Sequence, residues 1–405
     1  MKSGWVTKKL GEVCEIKLGK TPPRDDYSFW DRQKSSGYVW VSTSDMASLT
    51  DGQIIDSKEY ITNKAIEEAG VPIVKKGTLL LSFKLTIGRT AIAGRDLSTN
   101  EAIAALPLKQ EFAQLIDLHY LVFYFAAFDW YLFAAKDDKM LGKTLNKKRL
   151  ATVPVLIPPL AEQKRIVAKV DAAFEKIDKL KANAEKNLAN AKDLFQSALD
   201  EAMRPKEGWV EKRLGEVYNF IDYRGKTPTK IKNGVPLVTA RNVRMGYLDY
   251  SVRDFISYEE YETRQSRGVA HKGDLLFTTE APLGFVAIAD LDEFSTGQRL
   301  ITFQQYENSP YELLNKFYFY YLQSKDFQSE IRKQATGATA QGIKASRLKD
   351  ILVVVIPLLE QERIVNRLDL LAEKIKTIEQ NYTKQIADCV EMRQAVLREA
   401  FEGRL

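Results

Sequence analysis

The chain is poor in the residues that build most metal centres and redox sites. It holds two cysteines, Cys14 and Cys389, and two histidines, His119 and His271, among 405 residues. The cysteines are far apart and in no metal-type spacing, so the chain reads as reduced, without a disulfide framework. Neither histidine has a companion at ligand spacing. No stretch approaches the roughly 18 uninterrupted apolar residues of a membrane span. The richest apolar segment, 115–135, is broken by Asp117, His119 and Asp129 and reads as a core helix. The polar, basic first ten residues argue against a signal peptide and for a cytoplasmic protein. Catalytic signatures are missing as well. Gly-Lys-Thr occurs at 19–21, 142–144 and 225–227, but a Walker A loop needs another glycine five residues before its second one, where Cys14, Asp137 and Phe220 stand. Ile157-Pro-Pro-Leu160 lacks the amide or carboxylate and the aromatic ring of an amino-methyltransferase loop, and no Pro-Asp pair begins a nuclease motif. Glu280 reads as a loop or sheet residue. The expectation is a chain with no catalytic site, no metal and no cofactor of its own.

What is present is charge of both signs and a duplication. Lys and Arg number 60 against 54 Asp and Glu, a net charge of +6, which suits a nucleic-acid partner without demanding one. At 45% hydrophobic residues, a chain of this length can bury two cores. Gly4-Trp-Val-Thr-Lys-Lys-Leu-Gly-Glu-Val13 recurs as Gly208-Trp-Val-Glu-Lys-Arg-Leu-Gly-Glu-Val217, and Gly19-Lys-Thr-Pro22 as Gly225-Lys-Thr-Pro228. Pro159-Leu-Ala-Glu-Gln-Lys-Arg-Ile-Val167 recurs as Pro357-Leu-Leu-Glu-Gln-Glu-Arg-Ile-Val365. A single repeat this long is a tandem duplication, not a solenoid.

Each copy has a globular part followed by a long helix, which places domains at 1–159 and 205–357 and helices at 160–204 and 358–405. Segments 38–41, 78–83, 235–239 and 350–356 read as strands, and 115–135 and 311–323 as helices. The expected class is α+β. In the first long helix Ile166, Val170, Ala173, Ile177, Leu180, Ala184, Asn187, Ala191, Leu194 and Ala198 alternate steps of four and three. In the second, Ile364, Leu368, Leu371, Ile375, Ile378, Tyr382, Gln385, Cys389, Met392 and Val396 do the same. This spacing predicts a two-helix coiled coil. Asn187 and Gln385 either form a polar notch that sets the register or mark a stutter that turns Leu188 and Ile386 inward.

Taken together, the Gly-Trp-x-x-x-x-Leu-Gly-Glu-Val openings, the Gly-Lys-Thr-Pro turns, the Pro-Leu-x-Glu-Gln-x-Arg-Ile-Val helix starts and the order domain, helix, domain, helix resemble the specificity subunit of Type I restriction-modification systems. The resemblance covers the whole chain. It implies two target-recognition domains, held apart by an antiparallel helix pair, that each read one half of a bipartite, asymmetric double-stranded DNA site. It also implies docking of methyltransferase subunits, two in number, and of a motor-nuclease subunit. S-adenosylmethionine, ATP and magnesium would serve those partners, not this chain. A free chain could self-associate through its coiled coil, and a relative of the system could lack the motor subunit. The competing class is a coiled-coil scaffold that binds only proteins, which a DNA gel shift separates from a DNA reader.

Base reading needs donors and acceptors that reach the major groove, and positioning needs cations on phosphates. In the second domain ten cations between 223 and 272, Arg224, Lys226, Lys230, Lys232, Arg241, Arg244, Arg253, Arg264, Arg267 and Lys272, outnumber five anions. The first domain offers Lys17, Lys20, Arg24, Arg32 and Lys34 with Tyr27 and Trp30, then Lys84 and Arg89. A basic loop near the end of each domain adds Lys143, Thr144 and Lys147 in one copy and Thr339, Gln341 and Lys344 in the other. Ser42, Thr43 and Ser44 in one domain and Arg241 and Asn242 in the other, just past a strand, are the candidate base readers. Trp40-Val-Ser-Thr-Ser-Asp45 aligns with Val238-Thr-Ala-Arg-Asn-Val243, and such different readers on one scaffold predict unlike half-sites. A helix of about 42 residues, roughly 63 Å long at about 1.5 Å per residue, would act as the ruler between them. The outward cations Lys169, Lys176, Lys179, Arg363, Arg367 and Lys374 are candidate docking residues for the methyltransferase.

Overall fold

The computed structural model describes residues 4–35, 37–48, 52–84, 86–135, 145–223, 227–337 and 341–402. Contacts divide the chain into two compact units, Met1–Ala184 with Lys384–Leu405, and Glu185–Thr383. Each therefore contains one globular domain together with parts of both long helices. No helix among the described residues is long and apolar enough to cross a membrane.

The first unit carries a five-stranded sheet in the order Lys17–Leu18, Ile103–Leu106, Leu79–Ser82, Thr90–Ala93, Gln53–Ile54, and a three-stranded sheet in the order Glu59–Ile61, Tyr38–Val41, Ser98–Thr99. The second repeats the plan. Its four-stranded sheet runs Tyr218–Asp222, Leu300–Gln305, Leu275–Thr278, Val286–Ile288, and its three-stranded sheet runs Asp254–Ile256, Val235–Val238, Ser295–Thr296. In both small sheets the central strand is antiparallel to one neighbour and parallel to the other. In both units the opening strand, Val6–Lys9 or Val210–Arg213, pairs antiparallel with the strand that feeds the long helix, Pro154–Ile157 or Leu352–Val355. The fold is α+β, duplicated.

The repeated motifs are structural parts. Leu-Gly-Glu-Val makes a one-turn helix in each copy, with the leucine fully buried. Its glutamate accepts the backbone N–H three residues back, Lys9 at 2.6 Å and Arg213 at 2.8 Å, which ties down the first turn. A Cβ on Gly11 would stand 3.0 Å from the Ala151 side chain, and one on Gly215 would stand 2.9 Å from that of Lys349, so the glycine lets two short helices touch. The glutamine of Pro-Leu-x-Glu-Gln is wholly buried in both copies. Gln163 accepts from Asp117 N at 2.9 Å and donates to the carbonyls of Leu115 and Pro158, both at 2.8 Å. Gln361 accepts from Leu314 N at 2.8 Å and donates to Glu312 O and Ile356 O, again at 2.8 Å. One side chain thus fastens the start of each long helix to its own domain. It also explains a difference from the sequence reading. The helix expected over 311–323 runs only from Asn315 to Tyr321, because Leu314 N is already committed to Gln361. The apolar segment 115–135 likewise splits into Leu118–Ala127 and Trp130–Ala135, where the Asp129 carboxylate accepts Leu132 N at 2.7 Å and restarts the helix.

The long helices are Leu160–Ala202 and Leu358–Phe401. Within the first unit Leu397 and Ala400 join Ile166 and Val170 in one core, and Arg393 lies 4.0 Å over the Phe174 ring and pairs with Asp178. Within the second, Leu199 and Met203 join Ile364 and Leu368. The start of one helix meets the end of the other in both units, so the pairing is antiparallel. The seam departs from a strict heptad. Asn187 and Gln385 are exposed while Leu188 and Ile386 are half-buried, which is the stutter, and Leu194 and Met392 are exposed while Phe195 and Arg393 turn inward. Leu180 and Ile378 are exposed too. Residues 166, 170, 173, 177, 181, 184, 188, 191, 195 and 199 form the less exposed face, a pattern close to an 11-residue repeat of about 3.67 residues per turn, which removes the left-handed supercoil that a heptad imposes.

Removing a glutamine fastener strands buried backbone groups, so Gln163→Ala and Gln361→Ala should each cost about 1–3 kcal/mol in a urea titration of the full chain. The two share no partner, and the double variant should show the sum.

Candidate nucleic-acid interface

The candidate readers lie on a turn that closes the central strand of the small sheet. In the first domain Asp45, almost fully buried, accepts from Ser42 N at 2.8 Å and Ser42 Oγ at 2.6 Å. In the second, Asn242, also buried, accepts from Thr239 N and Thr239 Oγ1, both at 2.9 Å. These are the same turn, a short polar side chain folding back on the backbone. The strand register agrees, since Trp40 stands opposite Ser98 and Leu237 opposite Ser295. The sequence alignment of the two segments was therefore one residue out. Ser42 corresponds to Thr239, Thr43 to Ala240, Ser44 to Arg241, and Asp45 to Asn242.

That register corrects two reader assignments. Asn242 spends its Nδ2 on Asp249 O and Val252 O, at 3.0 and 2.7 Å, so both ends of its amide are consumed in holding the turn. Ser42 is the matching turn builder, its hydroxyl bound to Asp45 and 2.8 Å from Ser44 Oγ. Of the residues between, Thr43, Ser44 and Arg241 reach the surface, while Ala240 is buried. Ser44 is exposed and Thr43 half-exposed, and the Thr43 carbonyl accepts from Arg89 Nη1 at 3.0 Å. Arg241 is exposed, its guanidinium 2.6 Å from Asp254.

Beside this turn each domain brings a hairpin and a late loop together. Leu145 N donates to Phe83 O at 2.9 Å and Ile343 N to Thr279 O at 3.0 Å, so the loop before the last short helix meets the hairpin tip in both copies. Lys84 sits there with its ammonium 5.4 Å from the Phe83 ring. Gln341 is exposed and borders a cleft with Ala281, Leu283 and Arg332. Lys147 and Lys344 stand, exposed, at the starts of the short helices Lys147–Ala151 and Ala345–Asp350. Lys143, Thr144, Arg224, Lys226 and Thr339 lie outside the described residues.

The remaining cations divide into tethered and buried. Arg24 is paired in bidentate fashion with Glu59 and stacks 4.0 Å from Trp30 and 4.9 Å from Trp40. Lys230 occupies the matching place and pairs with Asp254 at 2.8 Å, and Asp254 is the strand equivalent of Glu59. The Lys230 hydrogen bond, above all, holds the Asp254 carboxyl below the usual carboxylate range. Lys20 donates to Ala69 O. Arg244 pairs with Asp249 at 3.0 Å. Arg264 leaves the proposed cation cluster altogether. It is buried, stacked 4.6 Å over Tyr223 and bound to Ser295 Oγ and Thr296 O at 3.1 and 2.7 Å, and desolvation lowers its pKa from the ordinary arginine value. The acidic anchors Glu59 and Asp254 and the turn acid Asp45 went unnoticed in the sequence. The Ser-x-x-Asp and Thr-x-x-Asn spacing was the available signal.

Both halves of the duplicated α+β scaffold thus carry the same turn with different outward residues. The Type I restriction modification DNA specificity domain model matches residues 2–189 and 206–387. The chain belongs to that family, and it is a Type I restriction-modification specificity subunit, a DNA sequence recognition component. It is 24% identical to the Type I restriction enzyme MjaIX specificity subunit of Methanocaldococcus jannaschii, over 99% of this chain and 93% of the relative. It is also 24% identical to the EcoBI specificity subunit of Escherichia coli, over 91% and 86%. Among solved structures it superposes on the HsdS subunit from Thermoanaerobacter tengcongensis with a TM-score of 0.55 at 21% identity, covering 100% of this chain and 98% of that one. A chain from a structure of the type I R-M system, described for its complex assembly and conformational transition, gives 0.72 at 21% identity, covering 100% and 99%.

The turn assignment separates two neighbours in sequence. Asn242→Ala should lower stability by about 1–3 kcal/mol by leaving buried backbone groups unpaired, whereas exposed Arg241→Ala should change it by less than about 0.5 kcal/mol. Urea titration measures both.

Proposed function

We propose that this chain reads a bipartite, asymmetric DNA site, one half with each domain, and presents that site to docked methyltransferase subunits, two in number, and to a motor-nuclease subunit. The observation that carries this reading is the shared turn. The same fold of backbone holds out Thr43 and Ser44 in one domain and Arg241, beside a buried Ala240, in the other. Arginine suits guanine through its paired donors, and serine accepts either kind of partner, so the two heads favour different bases. The tethered cations, Arg24, Lys230 and Arg244, and the hairpin and loop residues Lys84, Lys147, Gln341 and Lys344 would bear on phosphates, which fix the register of the turn without carrying sequence. Arg89 is the positioning residue of the first head, since it ties the hairpin to the reading turn through the Thr43 carbonyl.

Domains at 1–159 and 205–357, with helices at 160–204 and 358–405 between and after them, make the helices the element that sets the gap between half-sites. The outward cations Lys169, Lys176, Lys179, Arg363, Arg367 and Lys374 are the surface offered to the methyltransferase. Transfer chemistry, with its S-adenosylmethionine, belongs to that partner.

Co-expression with the neighbouring methyltransferase, followed by single-molecule mapping of modified adenines, tests this reading. One asymmetric two-part motif should appear and should vanish when the chain is omitted. In the same assay Arg241→Ala should relax one position of one half only, by about 1–3 kcal/mol of discrimination. Modification that ignores the chain, or an Arg241→Ala motif unchanged at every position, contradicts it.

A further inference from the structure

The two domains differ by an insertion that the repeat analysis makes visible. The offset between copies is 206 at the Gly-Lys-Thr-Pro turn and 197 at the strand that follows, so the first copy carries nine additional residues there. They fold into a compact knuckle on the small sheet. Asp26 caps the short turn Tyr27–Phe29 by accepting from Ser28 N at 2.9 Å, Phe29 is buried, and Trp30 meets Trp40 edge-on at 5.1 Å. Thr62 N donates to Phe29 O at 3.0 Å and Asp31 N to Tyr60 O at 2.9 Å, which fixes the knuckle to the strand Glu59–Ile61.

Between the knuckle and that strand lies a cleft of about 330 Å³. Tyr27, Trp30 and Tyr60 give it aromatic walls, and Arg24, Arg32 and Lys58 give it charge. The charges are not equivalent. Arg24 is neutralised by Glu59. Lys34, also at the cleft, donates to Ser57 O at 2.7 Å and lies 3.7 Å from Asp56. Asp31 is turned towards the backbone of its own loop, accepting from Gln33 N at 3.1 Å. Arg32 and Lys58 have no acidic partner among the described residues. Arg32 is instead stacked 4.6 Å over the ring of Tyr27, which is itself 69% exposed.

The cleft is continuous with the reading turn. Lys58 N donates to Asp45 Oδ1 at 3.3 Å, so the acid that builds the turn also holds the base of the lysine. The strand register puts Arg253 of the second domain where Lys58 stands in the first, so a cation recurs beside the turn in both heads. Only the first adds the Tyr27 and Arg32 wall.

We propose that this cleft is a backbone clamp confined to the first domain: Arg32 and Lys58 grip a phosphate flanking the first half-site, with the adjoining sugar against Tyr27. The proposal rests on the DNA-reading function given above. Its consequence is asymmetry of a second kind. The two heads differ in grip as well as in the bases they read, the first contributing more of the salt-dependent affinity.

Salt-dependent binding of the chain, purified with its methyltransferase, to a fluorescent duplex carrying the mapped motif provides the test. Each phosphate contact contributes a slope of about −0.9 in log K against log salt, so removing the grip on one phosphate with Arg32→Ala and Lys58→Ala should make the slope shallower by about 1 unit. The methylated motif should stay the same, Arg32→Lys should keep the slope, and Tyr27→Ala should weaken binding with the slope preserved. Both cations are exposed, so the variants are expected to fold. An unchanged slope in the double variant overturns the clamp, and so does a changed motif, because that would make the cleft a base reader. Failure of the unsubstituted complex to prefer the mapped duplex would instead overturn the DNA-reading function, before any substitution is made.

Discussion

Everything else in this molecule depends on how the two long helices share out the cores. Neither domain is closed by its own helix alone. Leu397 and Ala400, from the end of the chain, complete the first core beside Ile166 and Val170, and Leu199 and Met203, from the middle of the chain, complete the second beside Ile364 and Leu368. Burying a leucine or methionine side chain contributes about 1.5–3 kcal/mol, so each domain is stabilised by sequence from both repeats. The buried glutamines set the joint between helix and domain, with three hydrogen bonds each. Each joint ties one long helix firmly to its own domain.

Against that frame the variable parts are small. The turn that follows the central strand of the small sheet is built by an inward pair, Ser42 with Asp45 and Thr239 with Asn242, and leaves Ser44 outward in one domain and Arg241 in the other. Changing the outward pair costs the fold little, since neither Ser44 nor Arg241 is buried. Changing the inward pair would cost the turn itself. Specificity can therefore vary without disturbing the scaffold.

The duplication, the helices and the strands of each domain were legible in the sequence because they are written as long, periodic apolar patterns and as motifs that occur twice. The exact seam was not. A 4,3 alternation fits Leu194 and Met392 as well as it fits their neighbours, and only the slow drift between 3.5 and 3.6 residues per turn moves Phe195 and Arg393 inward instead. The candidate reading turn stands in the sequence as a polar segment after a strand, and the strand registers shift its alignment between the copies by one residue. Asn242 has the donor and acceptor a base reader needs, yet in the structure those groups are spent on Thr239, Asp249 and Val252. Cations were the least legible. Charge alone does not tell Arg264, buried on Tyr223, from Arg32, exposed on Tyr27. The insertion that carries Tyr27 and Arg32 emerged only when strand registers fixed the offset between copies.

The central claim is that two interchangeable heads read independently from one antiparallel frame. The most direct measurement replaces residues 205–357 with a second copy of residues 1–159 and maps the adenines modified in its presence. The account predicts a symmetric motif in which the half-sequence read by the first domain occurs twice, in inverted orientation. A motif that still contains the half-sequence of the missing second domain would contradict it.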